Sequence, residues 1–339
     1  MLANDLRDLP DAEQEQIWSS SDWVAEPKLN GVRMLCHAGP GENRFTSRVQ
    51  SKRTGLFQER TNNFPHLRDL PLSFLDGTVL DGELILEKPR ALTSGSKWAV
   101  GSLACTMAAV NTSPEHAAEF QTREGWAAFH VFDLVCDRGQ SVGMRPFWDR
   151  RARLRSIFSE MANHGIDLSH FALVPQVMEN KRAFYDSILT IGGEGVMLKH
   201  RDGGYKHNGR SAEVLKVKKF LTVDGFISGY TAGRHGNTGL VGSLLVSVYD
   251  SDGNVREVAG VAPSDLSLGP KASNLRNAMT IRTPAGPRLR PEFYDRVVEV
   301  EAFAWNKNLR LQHAKVLRFR DGDKAREDCV IDFGSLRIG

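Results

Sequence analysis

The chain has 339 residues, 41% hydrophobic and 25% charged, with a net charge of +3. This is an ordinary globular composition, it gives no sign of disorder, and the length suggests two domains. Cys36, Cys105, Cys136 and Cys329 are far apart and form no C-x-x-C pair, which argues against a zinc module or a disulfide framework and for free thiols in a reducing compartment.

No stretch approaches the roughly 20 apolar residues of a membrane span. The start of the chain, with Asp5, Asp8, Asp11 and Glu13, has neither a basic leader nor an apolar signal core, so a cytoplasmic protein is expected. The charge surplus is small but clustered. Arg44, Arg48, Lys52, Arg53 and Arg60 face only Glu59 within residues 44–60, and a second basic run spans residues 307–326. Local positive faces of this kind suit phosphate, whose neutralisation supplies much of the affinity of nucleic-acid-binding proteins.

In chain order, residues 11–18 suggest a short helix before an apolar run over 23–28. Asn30-Gly31 is a turn signal, because glycine accepts positive φ at no steric cost. A strand follows over 32–36. Residues 79–86 are apolar on both sides of Asp81-Gly82, which also reads as a turn, and residues 128–135 as a buried strand. Leu154, Ile157, Phe158 and Met161 recur at helical spacing over 149–163, with His164-Gly165 ending the pattern. A second helix covers about 179–190, with Phe184, Ile188 and Leu189 inward and Gly192-Gly193 as its stop. Residues 195–199 and 214–218 are strand-like. Beyond about residue 222 the pattern turns to short strands over 225–230, 242–249 and 297–301, with a turn at 250–253, the texture of a small barrel. The boundary falls near Leu221, giving domains 1–221 and 222–339.

The residues that carry chemistry lie mostly in the first of these. Lys28 ends an apolar run, just before Asn30-Gly31 and a strand bearing Arg33. A lysine is nucleophilic only as the free amine, which nearby positive charge and partial burial favour. Glu83 follows Asp81-Gly82. Glu194 sits between Gly193 and Gly195, where backbone can approach a ligand closely. Carboxylates together with phosphate oxygens are what Mg²⁺ uses. Lys216 and Lys218 alternate across Val217 and so share one strand face, costly in a core but sensible beside phosphate, although lysines also guard edge strands.

Taken in order, these pieces resemble the covalent nucleotidyltransferase superfamily of ligases and RNA-capping enzymes. Lys28-Leu29-Asn30-Gly31-Val32-Arg33 is similar to the nucleotide-attachment motif, Ser47-Arg48 to the short motif after it, and Asp81-Gly82-Glu83 to the acidic one. Residues 129–133, with Phe132, resemble the aromatic motif, residues 194–199 the fourth and residues 215–218 the fifth. The resemblance covers residues 26–218. It implies an α+β chain: a nucleotidyltransferase, ATP-grasp-like adenylation domain with antiparallel sheets, then an all-β OB-fold domain.

Carried over position by position, the resemblance makes Lys28 the nucleophile that holds AMP as a phosphoramidate. Glu26 would meet the adenine edge and Phe132 stack on the base. Arg33 and Arg48 would contact phosphates or the 5′-phosphate of a nick. Glu83 would meet the ribose hydroxyl or a metal-bound water, and Glu194 would help hold Mg²⁺ or Mn²⁺. Lys199 is a phosphate-side candidate, and Lys216 and Lys218 would bind the α-phosphate. Two positions depart from the pattern: Asn30 stands where Asp is usual, and Val214 where a Trp often stands.

The last third narrows the reading. Residues 242–249 and the segment 310–324 resemble the OB domain and closing motif of ATP-dependent DNA ligases, and the size together with Thr93-Ser94-Gly95-Ser96-Lys97 resembles the small ligases of bacteriophages. The closing motif is usually R-x-D-K, whereas Arg320-Asp321-Gly322-Asp323-Lys324 has an extra residue, so which cation would orient pyrophosphate stays open. The resemblance implies an ATP- and Mg²⁺-dependent monomer sealing nicked duplex DNA. Arg48, Lys52, Arg53, Arg318, Arg320 and Lys324 would then be contacts to the DNA backbone, positioning without reading sequence. An RNA ligase, a GTP-using capping enzyme and a non-catalytic OB-type nucleic-acid-binding protein are the competing readings.

Overall fold

The computed structural model describes residues 1–50, 54–87, 103–263 and 272–336. They form two compact units, Met1–Lys218 and Lys219–Gly339. In chain order the first contains β1 (Leu2–Asp5), α1 (Asp11–Ser19), β2 (Trp23–Pro27), β3 (Val32–His37), β4 (Arg44–Gln50), β5 (Phe57–Glu59), α2 (Pro65–Arg68) and β6 (Val79–Glu87). It continues with α3 (Leu103–Asn111), α4 (Pro114–Glu124), β7 (Trp126–Asp137), β8 (Gln140–Ser141), α5 (Phe147–Asn163), β9 (Phe171–Leu173), α6 (Lys181–Thr190), β10 (Gly195–His200) and β11 (Arg210–Lys218).

Two sheets organise this unit. The smaller has the order β1-β11-β10-β2, and the larger runs β5-β4-β3-β6-β7-β8 with β9 added beside β7. Each spends one face on a core. Ala25, Val196, Leu198 and Leu215 of the small sheet pack with Leu6, Ile17 of α1 and Ile188 of α6. Met34, Cys36, Leu80, Leu84, Phe129 and Val131 of the large sheet pack with Leu154, Ile157 and Met161 of α5. Since successive side chains in a strand point to opposite faces, the residues between these point away from both cores. On the small sheet they are Glu26, Met197, Lys199, Lys216 and Lys218, in rows fixed by the pairs Met197 with Glu26 and Lys216, and Gly195 with Lys218. On the large sheet Arg33 pairs with Glu83, and Glu83 with His130.

Two glycines differ from their sequence expectations. Asp81-Gly82 is no turn but the middle of the continuous strand β6. A side chain at Gly82 would stand 2.6 Å from the Phe129 ring and 2.7 Å from the His130 carbonyl, so the glycine is there to let β7 come close. The register of β6 on β7 slips at this place, because Asp81 pairs with Asp133 but Gly82 with Val131. The extra residue is Phe132, a bulge that sends both Phe132 and Asp133 away from the core. Gly31, likewise, does not take positive φ; its missing Cβ would lie 2.2 Å from the Leu84 carbonyl. In both cases the demand is close backbone approach, which a dipeptide turn rule does not register.

The second unit contains β12 (Leu221–Ala232), β13 (Val241–Asp250), β14 (Val255–Val261), α7 (Ala272–Ala278), β15 (Thr280–Thr283), β16 (Gly286–Leu289), β17 (Val297–Ala302), β18 (Lys315–Phe319) and β19 (Val330–Ile331). Its main sheet has the order β14-β13-β12-β17-β18, with β19 added beside β13. Alternate residues Leu244, Val246 and Val248 of β13 and Val298 and Val300 of β17 fill its core. This is the β-rich arrangement of an OB-type domain, here with one short helix among the described residues.

Candidate active site

Lys28 follows β2 directly, and its backbone N–H donates to the Gly195 carbonyl at 2.8 Å, which fixes it against the start of β10. Gly195 takes φ +134°, and a Cβ there would lie 2.0 Å from the Val217 carbonyl, so the glycine admits this close crossing of β10 and β11. The Lys28 ammonium pairs with the Glu194 carboxylate. Lys218 Nζ lies 3.7 Å from the same carboxylate. Burial, and next the charge of Lys28, pull the Lys218 ammonium below the ordinary lysine range, with Glu194 opposing. Lys216, one pleat away, lies 3.9 Å from Asp5. Three lysines and two carboxylates, Glu194 and Asp5, thus share one end of the sheet face, a cationic cradle open to part of the solvent.

Along the same face the character changes. Glu26 is almost fully buried. Its oxygens accept from Lys199 Nζ at 2.6 Å and from Gln176 Nε2 at 3.1 Å, and Arg151 stands 3.8 Å away. Burial pulls the Arg151 guanidinium below its ordinary value, with Glu26 opposing. Lys199 also donates to the Phe132 carbonyl at 3.1 Å and lies 4.9 Å above the Phe132 ring centroid. Phe132, half-buried, has the Arg33 guanidinium 5.3 Å from its centroid as well.

Residues 1–218 match the family model described as the ATP dependent DNA ligase domain. The chain belongs to the ATP-dependent DNA ligase family. The DNA ligase of Methanopyrus kandleri is 26% identical over 335 residues, covering 97% of this chain and 56% of that protein. The SPbeta prophage-derived DNA ligase-like protein LigB of Bacillus subtilis is 24% identical over 219 residues, 63% of this chain and 67% of the relative. The chain therefore spans little more than half of the first relative and about two thirds of the second. Among solved structures a Lig E DNA ligase shares the fold with a TM-score of 0.57 at 20% identity, covering 94% of this chain and 98% of that one.

Within this ligase-family chain, two of the expected phosphate contacts already hold partners of their own. Lys199 was expected on the phosphate side. Its ammonium is buried and bound to Glu26 and the Phe132 carbonyl, because its strand position places it two residues beyond Met197, at the far end from Lys28. Arg33 was expected to contact phosphate. Its Nε donates to Asp81 at 2.9 Å, and the fork is completed by Asp81 Oδ2, Tyr205 and the Met1 carbonyl, so a buried carboxylate already satisfies it. Arg48 remains exposed on β4. Lys52, Arg53 and the segment 93–97 lie outside the described residues.

Glu83 is strongly perturbed by its surroundings. Burial pushes its carboxyl up to about 7, with Lys28 and Arg33 opposing and Asp81 adding to the rise. A carboxyl raised in the fold is protonated in the native state while already ionised in the unfolded chain, between about pH 4.5 and 7. Stability is therefore lost as pH rises through that window and is constant above it. We expect Glu83→Gln to flatten this descent by about one proton in the pH dependence of unfolding. An unchanged slope in urea titrations at pH 5, 6 and 7 would show that Glu83 is not the group.

The closing cations lie in the second unit and are all paired. Arg318 donates to Glu299 at 2.7 Å, and Arg320 and Lys324 both reach Asp224. Gln176, Arg151, Tyr205 and Asp224 were not foreseen; nothing in their local sequence marks them, since each acts through a partner far away in the chain. Among the described residues no group of three or more His, Cys, Asp or Glu could hold a metal ion, and no helix is long and apolar enough to cross a membrane.

Proposed function

We propose that this chain reacts with ATP to form a lysyl–AMP at Lys28 and uses it to seal 3′-OH/5′-phosphate nicks in duplex DNA. The observation that carries the reading is the pairing of Lys28 and Lys218 with Glu194, with Lys216 on the same strand face, in a chain whose first 218 residues match the ligase domain. The free amine of Lys28 attacks the α-phosphorus; a P–N bond forms, the P–O bond to pyrophosphate breaks, and one proton of the newly bonded nitrogen passes to solvent. A 5′-phosphate oxygen then takes the AMP from Lys28. The 3′-OH attacks the activated phosphate, forming the phosphodiester and releasing AMP. Catalysis of this kind is positioning plus charge neutralisation.

In this reading Lys216 and Lys218 neutralise the α-phosphate, and Glu26 accepts from the adenine amino group. Phe132 stacks on the base, and Glu83 meets the ribose. Lys199 and Gln176 hold Glu26 in place. Arg48, Lys52 and Arg53, together with Arg318, Arg320 and Lys324, meet the DNA backbone. Two carboxylates, Glu83 and Glu194, completed by phosphate oxygens, are a donor set that suits hydrated Mg²⁺ or Mn²⁺ rather than a closed metal cage. Bound there, the ion supplies charge neutralisation on the phosphates. The reading takes the chain to be a monomer acting in the cytoplasm.

The deciding experiment offers a nicked duplex with ATP and Mg²⁺, beside a nick whose 3′-OH strand is RNA. Sealing of the DNA nick, with the RNA strand slower, is the expected result. Sealing of the RNA nick alone would mean an RNA ligase, and no sealing of either would overturn the proposal.

A further inference from the structure

In the second unit one carboxylate holds two cations. Asp224, on β12, accepts from Arg320 Nη1 at 3.1 and 3.2 Å and from Lys324 Nζ at 2.9 Å. Arg320 Nε donates to Asp323 at 2.8 Å. The register extends the row: Asp224 pairs with Glu299 on β17, and Glu299 with Arg318 on β18, whose guanidinium lies 4.0 Å from Asp323. Three cations are thus balanced by three carboxylates. The residue that lengthens the closing motif is absorbed in a tight turn, where Gly322 takes φ +82°. That turn folds Lys324 back beside Arg320, so both converge on one acceptor.

Their convergence has a chemical meaning. Carboxylate and phosphate oxygens are the same kind of acceptor for guanidinium and ammonium groups, and two cations held around one anionic group are already spaced for another. We propose that Asp224 is a positioning residue that stands in for a phosphate group, holding Arg320 and Lys324 together until a polyphosphate displaces it. This rests on the ligase reading, in which Arg320 and Lys324 belong to the closing motif that orients the leaving pyrophosphate, besides facing the DNA backbone. A single phosphate gains little by replacing a carboxylate. Pyrophosphate carries more charge on more oxygens and can occupy both cations at once, so the clasp favours it.

The test titrates inorganic pyrophosphate into the full chain by calorimetry at several salt concentrations. Asp224→Asn keeps the shape and removes the charge. Freed from competition, the cations should bind pyrophosphate about fivefold more tightly, the size expected of two partly exposed ion pairs, with a steeper loss of affinity as salt is added. Asp224→Glu should stay near the parent affinity. Adding Arg320→Ala and Lys324→Ala to Asp224→Asn should erase the gain. Asp323→Asn, which loosens Arg320 and leaves the Lys324–Asp224 pair in place, supplies a second variant with an expected gain of about twofold. The proposal is overturned if neither charge-removing variant binds pyrophosphate more tightly, or if the gain survives loss of both cations. Lys28 labelling by ATP is read separately: its failure removes the ligase reading, while the pyrophosphate titration still reports on Asp224.

Discussion

Lys28→Ala loses ATP-dependent self-labelling by on the order of 10⁴-fold or more, because no neighbouring amine can replace the attacking nitrogen. Lys218 also faces Glu194, but it is offset by two strands, across β10, and does not occupy the Lys28 position. The fold should survive. Lys28 is partly exposed, and Glu194 retains Lys218 as a counter-charge, so no buried carboxylate is orphaned. Incubation with labelled ATP and Mg²⁺, followed by acid precipitation, reads the adduct; thermal unfolding reads the fold. Labelling that persists in Lys28→Ala would assign the nucleophile to another residue.

The largest effect on stability should come from Asp133→Ala. Asp133 and Arg150 are both almost completely buried, joined by two parallel hydrogen bonds of 2.8 and 3.0 Å. Arg150 also donates to the Gly203 carbonyl at 2.9 Å, so it ties β7 and α5 to the segment after β10. Removing the carboxylate leaves a buried guanidinium without its charge partner, which costs about 3–5 kcal/mol. In a unit of this size that lowers Tm by roughly 6–20 °C. Replacing both partners, Asp133→Leu with Arg150→Met, should restore much of the loss, since the unpaired charge rather than the absent bond is the main penalty. Calorimetric scans of the parent and the two variants check this; a double variant no better than Asp133→Ala would place the cost in the lost hydrogen bonds.

Much of the fold was legible in the sequence because its signals are local. Helical spacing of Leu154, Ile157 and Met161 placed α5, and alternation placed β10 and β11 with Lys216 and Lys218 on one face. The stop at Gly192 is a positive-φ position, as helix ends often require. Other features depend on what a residue meets across the sheet. Asp81-Gly82 carries the composition of a turn, yet the Phe129 ring needs the space a side chain would fill, and that ring is more than 40 positions away. Arg33 and Lys199 were legible as motif positions but not as charges already satisfied by Asp81 and Glu26. The helices α3 and α4 went unread because half of their apolar residues are alanines, which mark periodicity weakly. Asp224 had no local signal at all, since its partners lie some 100 residues downstream.

The alternation that divides each sheet of the first unit into a core face and a polar face has a genetic corollary. A substitution at Lys216 or Lys218 alters chemistry and leaves Leu215 in its core. Deletion of a single residue within β11 exchanges the two faces: the lysines turn toward Leu198 and Ile188, and Leu215 turns toward the cradle. Reading-frame-preserving insertions and deletions in β10 and β11 should therefore be purged more strongly than amino-acid replacements at the same codons. In these strands the count of residues is as much a part of the site as their identity.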